Sequence, residues 1–156
     1  MQWLEDIVVG SVIDLGTHHF TAEEIIAFAS DFDPQPFHLD EAAGRASLFK
    51  GLAASGWHTT AVWQRLMTIH EANARAAAGI DATPPSGMPP VDSLRWLKPT
   101  LAGDSLRFQI TIEGIAPQQA HDGWGLVTYR AEGHNQREER LFELTGRTFA
   151  KVRAAD

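Results

Sequence analysis

The sequence predicts an α+β domain in which an antiparallel sheet wraps around one long central helix. Three observations predict it. The longest helical pattern lies in "GLAASGWHTTAVWQRLMTIHEANARAAAG", and from Ala61 to Ile69 it is apolar at six of nine positions, too many for one narrow face. A helix apolar almost all round is expected to be buried almost all round. After residue 90, four segments alternate apolar and polar residues in the manner of half-buried strands. No repeat or low-complexity segment divides the chain, so residues 1–156 are read as a single domain around one core.

The elements follow in order. Residues 7–15, "IVVGSVIDL", read as a strand. In "TAEEIIAFAS", Thr21 is the candidate N-cap, with Glu24 three residues later as its capping-box partner. Ile25, Ile26, Phe28 and Ala29 form the apolar face of that helix. Asp40 caps a short helix at 41–47, and the long helix covers about 57–78, from near Gly56 to near Gly79. "IDATPPSGMPP" cannot continue a helix and is read as a loop rather than a linker. The strands are "VDSLRWL", "DSLRFQITIEGI", "WGLVTYRAEG" and "RLFELTGRTFAKV", with "AGD", "APQQAHDG" and "GHNQRE" as turns.

Composition narrows the function classes. With 13 basic against 20 acidic residues, the net charge of −7 gives no overall pull toward nucleic acid or a membrane surface, so neither is expected as a partner. A local basic patch is left open by that balance. The absence of cysteine excludes disulfides, zinc thiolates and a thiol nucleophile, and it is compatible with the reducing cytoplasm in which we expect the protein. The N-terminus carries Glu5 and Asp6 and does not read as a signal peptide. No apolar run approaches the ~18 residues that suggest a membrane span.

The stretch that carries chemistry is "DFDPQPFHLD", residues 31–40. A residue before proline is pushed out of the helical region, which applies to Asp33 before Pro34 and to Gln35 before Pro36. The stiffened backbone fixes how Asp33 stands relative to His38, as an acid–base pair requires. Asp31 is the weaker carboxylate, since it falls in the last turn of the preceding helix. Spacing alone leaves a plainer reading equally open, in which the prolines only end a helix and Asp33 caps a backbone amide.

The order Asp, two residues, Pro, one residue, His resembles the pattern of the MaoC-like hydratases, the (R)-specific enoyl-CoA hydratases of the hot dog fold. Here it is Asp33-Pro34-Gln35-Pro36-Phe37-His38. "LFKGLAASGWHT" resembles the approach to that family's central helix, and "LRWLKPTLAGDSL" resembles its strand–Pro–Gly-Asp–strand motif. The three stretches cover roughly residues 21–108. Two positions depart from the family: Gln35 stands where Asn is frequent, and Ser55-Gly56 where His-Gly is frequent. Gln keeps the amide one methylene further out, and Ser55 leaves Gly56 in place.

The resemblance implies a hydratase or dehydratase of 2-enoyl/(R)-3-hydroxyacyl thioesters, of the kind used in fatty acid metabolism, with an acyl-CoA substrate and no cofactor or metal. It implies Asp33 and His38 as the catalytic pair holding a water. It also implies a homodimer or higher homo-oligomer, for which pairing through a sheet edge is the expected mode. Gly56, at the N-terminus of the long helix, is the candidate backbone N–H for the thioester oxygen. A glycine that only lets helix and sheet pack is the alternative there. Two other functions are weighed: a hot dog acyl-CoA thioesterase, and a non-catalytic acyl-CoA-binding subunit that would need neither Asp33 nor His38.

Further candidates are read as structural. His18 and His19 suit a turn or strand end, and His58 and His70 lie about 120° apart around a helix. Trp57, Trp63 and Met67 suit core packing better than an acyl tunnel. Arg147 and Lys151 suit a solvated strand edge better than a CoA phosphate site.

Overall fold

The computed structural model describes residues 2–85, 91–117 and 123–153. The last five residues of "IDATPPSGMPP" and most of the turn "APQQAHDG" therefore lie outside the described residues.

The first strand, β1, is Val12–His19 rather than residues 7–15. The reason is Gly10, whose φ of 87° is open to glycine and strained for any other residue. It bends the chain at the end of the Ile7–Val9 run, and the turn is tied by Ser11 N–H donating to Val8 O at 3.1 Å. Leu4–Asp6 forms a single 3₁₀ turn ahead of it.

Helix α1 is Ala22–Phe32, and Thr21 Oγ1 accepts from Glu24 N–H at 3.2 Å as its N-cap. Ile25 and Ala29 are its fully buried residues. Pro34 stops it: Asp33 leaves the helical region at φ −154°, ψ 68°. The next turn is itself helical. Pro36–Leu39 forms the one-turn helix α2, with extended Gln35 as N-cap and Pro36 first in the helix, where its missing N–H costs nothing. Asp40 then caps α3, Glu41–Ala46, by accepting from Ala43 N–H at 2.8 Å.

The long helix α4 is Gly56–Ala77, with Ser55 as N-cap. Beyond it, Gly79 at φ 67° lets Ile80 N–H reach Arg75 O at 3.0 Å, a Schellman closure. Strands β2 (Val91–Trp96), β3 (Ser105–Ala116), β4 (Trp124–His134) and β5 (Arg140–Lys151) follow. All pairings are antiparallel, and the five strands run in the order β1-β3-β4-β5-β2.

Inward residues of the central strands (Leu106, Phe108, Ile110, Ile112, Val127, Phe142 and Leu144) meet Val62, Trp63 and Met67 of α4 in one buried cluster. Trp63 lies 5.9 Å from Phe142 and 6.2 Å from Tyr129, ring to ring. The sheet thus wraps α4, but only on one side. Trp57, Ala61, Arg65, Thr68 and Ile69 form an exposed stripe, so the expectation of burial all round is corrected. One sheet cannot enclose a helix, and the apolar content of 61–69 exceeds what one covered face uses.

Between α3 and α4 the chain is pinned to the loop after β2. Ala53 bridges to Leu101, Ala54 N–H donates to Thr100 O at 2.8 Å, and Ala53 N–H donates to Phe37 O at 3.2 Å. This short span places everything at the candidate site.

Candidate active site

Asp33 and His38 meet. His38 Nε2 stands 3.4 Å from Asp33 Oδ2. The histidine is buried in α2, and its Nδ1–H donates to Ala53 O at 2.6 Å. A carbonyl oxygen can only accept, so Nδ1 carries a proton, and with that proton alone on the ring Nε2 presents a lone pair toward Asp33.

Asp33 is held at both oxygens. Ser55 Oγ–H donates to Oδ2 at 2.7 Å and Gln35 Nε2–H donates to Oδ1 at 2.8 Å. Partial burial pushes the carboxyl upward, but the donors Ser55 and Gln35, and the positive charge that His38 carries when its ring is doubly protonated, outweigh it and hold it below the usual carboxylate range. An ionised Asp33 facing an imidazole lone pair leaves two acceptors side by side. A donor with two hydrogens, such as water, satisfies both.

Gln35 therefore reaches Asp33 across the extra methylene, and Ser55 takes a part in the site that the sequence did not reveal. Gly56 comes next in the chain and opens α4, so its N–H is among those that no carbonyl of the helix accepts. Its Cα faces an aromatic ring: a Cβ added there would run into the indole of Trp96. Trp96 is held by its Nε1–H donating to Thr60 Oγ1 at 3.2 Å and by an edge-to-face contact with Trp57 at 5.1 Å.

Asp33, His38, Ser55 and Gly56 border one cavity of about 630 Å³. Phe37 and Phe49 wall it beside His38, with the Phe37 ring 4.5 Å from the imidazole, and Trp57 and Trp96 wall it beside Gly56. A polar cluster in an aromatic-walled cleft is the usual setting of a small-molecule site.

The other candidates fall outside this cavity or take structural positions. Asp31 is exposed on α1. Trp63 and Met67 belong to the core, whereas Trp57 is exposed at the cavity. His18 Nε2 pairs with Glu24 at 2.7 Å, His19 Nδ1 with Ser105 Oγ at 3.0 Å, and His58 stacks on Phe28. Arg147 pairs with Asp92 at 3.0 Å, and Lys151 lies over the Trp124 ring.

The family model described as MaoC like domain matches residues 8–132. This chain belongs to that family. A solved MaoC-like dehydratase from Rhodospirillum rubrum is 37% identical, with a TM-score of 0.79 over 99% of this chain and 100% of that one. The (R)-hydratase from A. caviae, involved in PHA biosynthesis, shares 18% identity and a TM-score of 0.65 over 94% of this chain and 98% of that one. Among curated proteins, the uncharacterized YdeM of Bacillus subtilis (strain 168) is 29% identical over 140 residues, 90% of this chain and 92% of that one. The five-stranded sheet around α4 is the hot dog fold. As a MaoC-like domain, the chain falls among hydratases and dehydratases. Among the described residues, no helix is long and apolar enough to cross a membrane.

Proposed function

We propose that this MaoC-like domain, taken as one unit over residues 1–156, hydrates 2-enoyl thioesters or dehydrates the (R)-3-hydroxyacyl products, with acyl-CoA as the substrate class. The observation that carries the reading is the Asp33–His38 pair, 3.4 Å apart and clamped at the wall of the aromatic cavity beside Gly56.

The chemistry follows from the acceptors. A water donates one O–H to Asp33 Oδ2 and the other to His38 Nε2, which leaves an oxygen lone pair free for the substrate. That lone pair attacks C3 of the enoyl group while the pair takes up a proton. Electrons of the C2=C3 bond move to the thioester oxygen, where the Gly56 N–H and the positive end of α4 stabilise the enolate. The pair then returns the proton to C2 on the same face. Water has been added, and the pair ends as it began. Preorganisation serves such a step because proton transfer weakens steeply beyond hydrogen-bonding reach.

The assay is crotonyl-CoA followed at the conjugated-thioester absorbance, with free CoA measured in parallel. Loss of absorbance without CoA release is expected. Release of CoA would mark a thioesterase, and binding with neither change a non-catalytic subunit; both outcomes reject the proposal.

A further inference from the structure

We propose that Ser55 is the positioning residue of this site: its hydroxyl, anchored at the N-cap of α4, fixes which oxygen of Asp33 faces His38. The catalytic consequence rests on the hydration reading above, but the positioning itself does not.

The Ser55 side chain is only 1% exposed, and its hydroxyl has two partners that settle its orientation. Trp57 N–H donates to Oγ at 3.2 Å, so Oγ acts there as acceptor, the usual task of an N-cap serine. Its one hydrogen is left for Asp33 Oδ2, an acceptor at 2.7 Å. That oxygen is the one standing 3.4 Å from His38 Nε2. The second donor, Gln35, binds the opposite oxygen from an exposed side chain and can swing away. Ser55 cannot, because the chain just before it is bonded to Thr100 and bridged to Leu101.

The same span also holds His38. Ala53 O accepts the Nδ1–H and Ser55 Oγ binds the carboxylate, so residues 53–55 grip both members of the pair from one rigid segment. A capping serine that satisfied only its helix would have no reason to spend its hydrogen on a carboxylate 22 residues away. The depressed carboxyl of Asp33, in which the Ser55 bond opposes the effect of burial, agrees with this geometry.

Two variants separate positioning from capping. Ser55→Ala removes both tasks. Ser55→Gly removes the hydroxyl but leaves a residue nearly as good as serine at an N-cap, so it keeps the helix if alanine weakens it. Ser55→Thr retains a hydroxyl as the rescue. The first readout is titration of the Asp33 carboxyl carbon by NMR, assigned by its loss in Asp33→Asn. The second is the pH profile of crotonyl-CoA hydration.

In Ser55→Gly the Asp33 midpoint should rise, and the acid limb of kcat should rise with it, because the carboxylate must be ionised to take a proton. At neutral pH kcat should fall by up to about a hundredfold, as expected for a catalytic group displaced by roughly an ångström, with KM close to the parent value. Ser55→Thr should restore both readouts. A folded Ser55→Gly variant with the parental Asp33 midpoint and kcat overturns the proposal and leaves Ser55 a helix cap. If the parent hydrates nothing while the midpoint still rises, positioning stands and the hydration reading falls. An unmoved midpoint in an active parent does the reverse.

Discussion

Asp33 and His38 are close because two prolines remove backbone freedom between them, and that much is legible from residues alone. Gln35 takes the extended conformation that a following proline demands, at φ −82° and ψ 140°. Groups that act as one unit lose most of their effect when either is removed. Asp33→Asn and His38→Ala should therefore each remove nearly all crotonyl-CoA hydration, and the double variant should be little worse than either. Asp31→Asn should stay close to the parent, since its carboxylate points from an exposed position on α1. Equal loss in Asp31→Asn and Asp33→Asn would sink the assignment. Gly56 calls for a paired test, because an added Cβ meets the Trp96 ring before it meets any ligand. Gly56→Ala should slow turnover and shift tryptophan fluorescence. Combining it with Trp96→Ala makes room for the methyl. If the double variant is as fast as Trp96→Ala alone, the lack of a side chain at Gly56 serves Trp96 packing and not the approach of the thioester. The Ser55–Asp33 bond was not legible, because it links residues 22 apart through a fold that the local pattern does not encode.

Elements were legible where their ends carry their own chemistry. Helix α4 begins after a capping serine and closes at a glycine in the left-handed region, and both signals lie in the sequence next to the bonds they make. Strands β2 to β5 follow the period-two alternation to within a residue or two of their ends. Strand β1 was misplaced because the apolar run Ile7–Val9 outweighed the turn at Gly10. The covered side of α4 could not be read either, since which face meets the sheet depends on strands far along the chain. One pair of substitutions measures that face. Met67 is 2% exposed among the core residues, and Met67→Ala should cost about 2–5 kcal/mol in denaturant unfolding. Thr68, the next residue, lies on the exposed stripe, and Thr68→Ala should stay within about 0.5 kcal/mol of the parent. Similar costs at the two positions would mean that the stripe is not the solvent side of the folded chain.

Among the described residues, the sheet ends in two unpaired edges, β1 and β2. Every residue of β2 except Leu94 is exposed, including Val91 at 48% and Trp96 at 45%. The edge also runs into the candidate site, since Trp96 packs on Gly56 and touches Trp57 at the start of the exposed α4 stripe. An open edge strand is a template for another chain, and the charges on β2, Asp92 and Arg95, are paired with Arg147 and Glu143 of β5, which leaves Val91 and Trp96 as its exposed apolar residues. We therefore propose that two copies of the chain associate through β2, a reading that also accounts for the exposed Trp57, Ala61 and Ile69 of the α4 stripe. The solution mass at micromolar concentration should be a multiple of one chain. Val91→Lys places a charge on that edge and should shift the mass toward one chain while leaving the far-ultraviolet circular dichroism unchanged. Val12→Lys, on the opposite edge strand β1 and 60% exposed, should leave the assembly whole. If Val12→Lys dissociates the assembly and Val91→Lys does not, the copies meet through β1, and the aromatic corner of Trp57 and Trp96 faces solvent rather than a second chain.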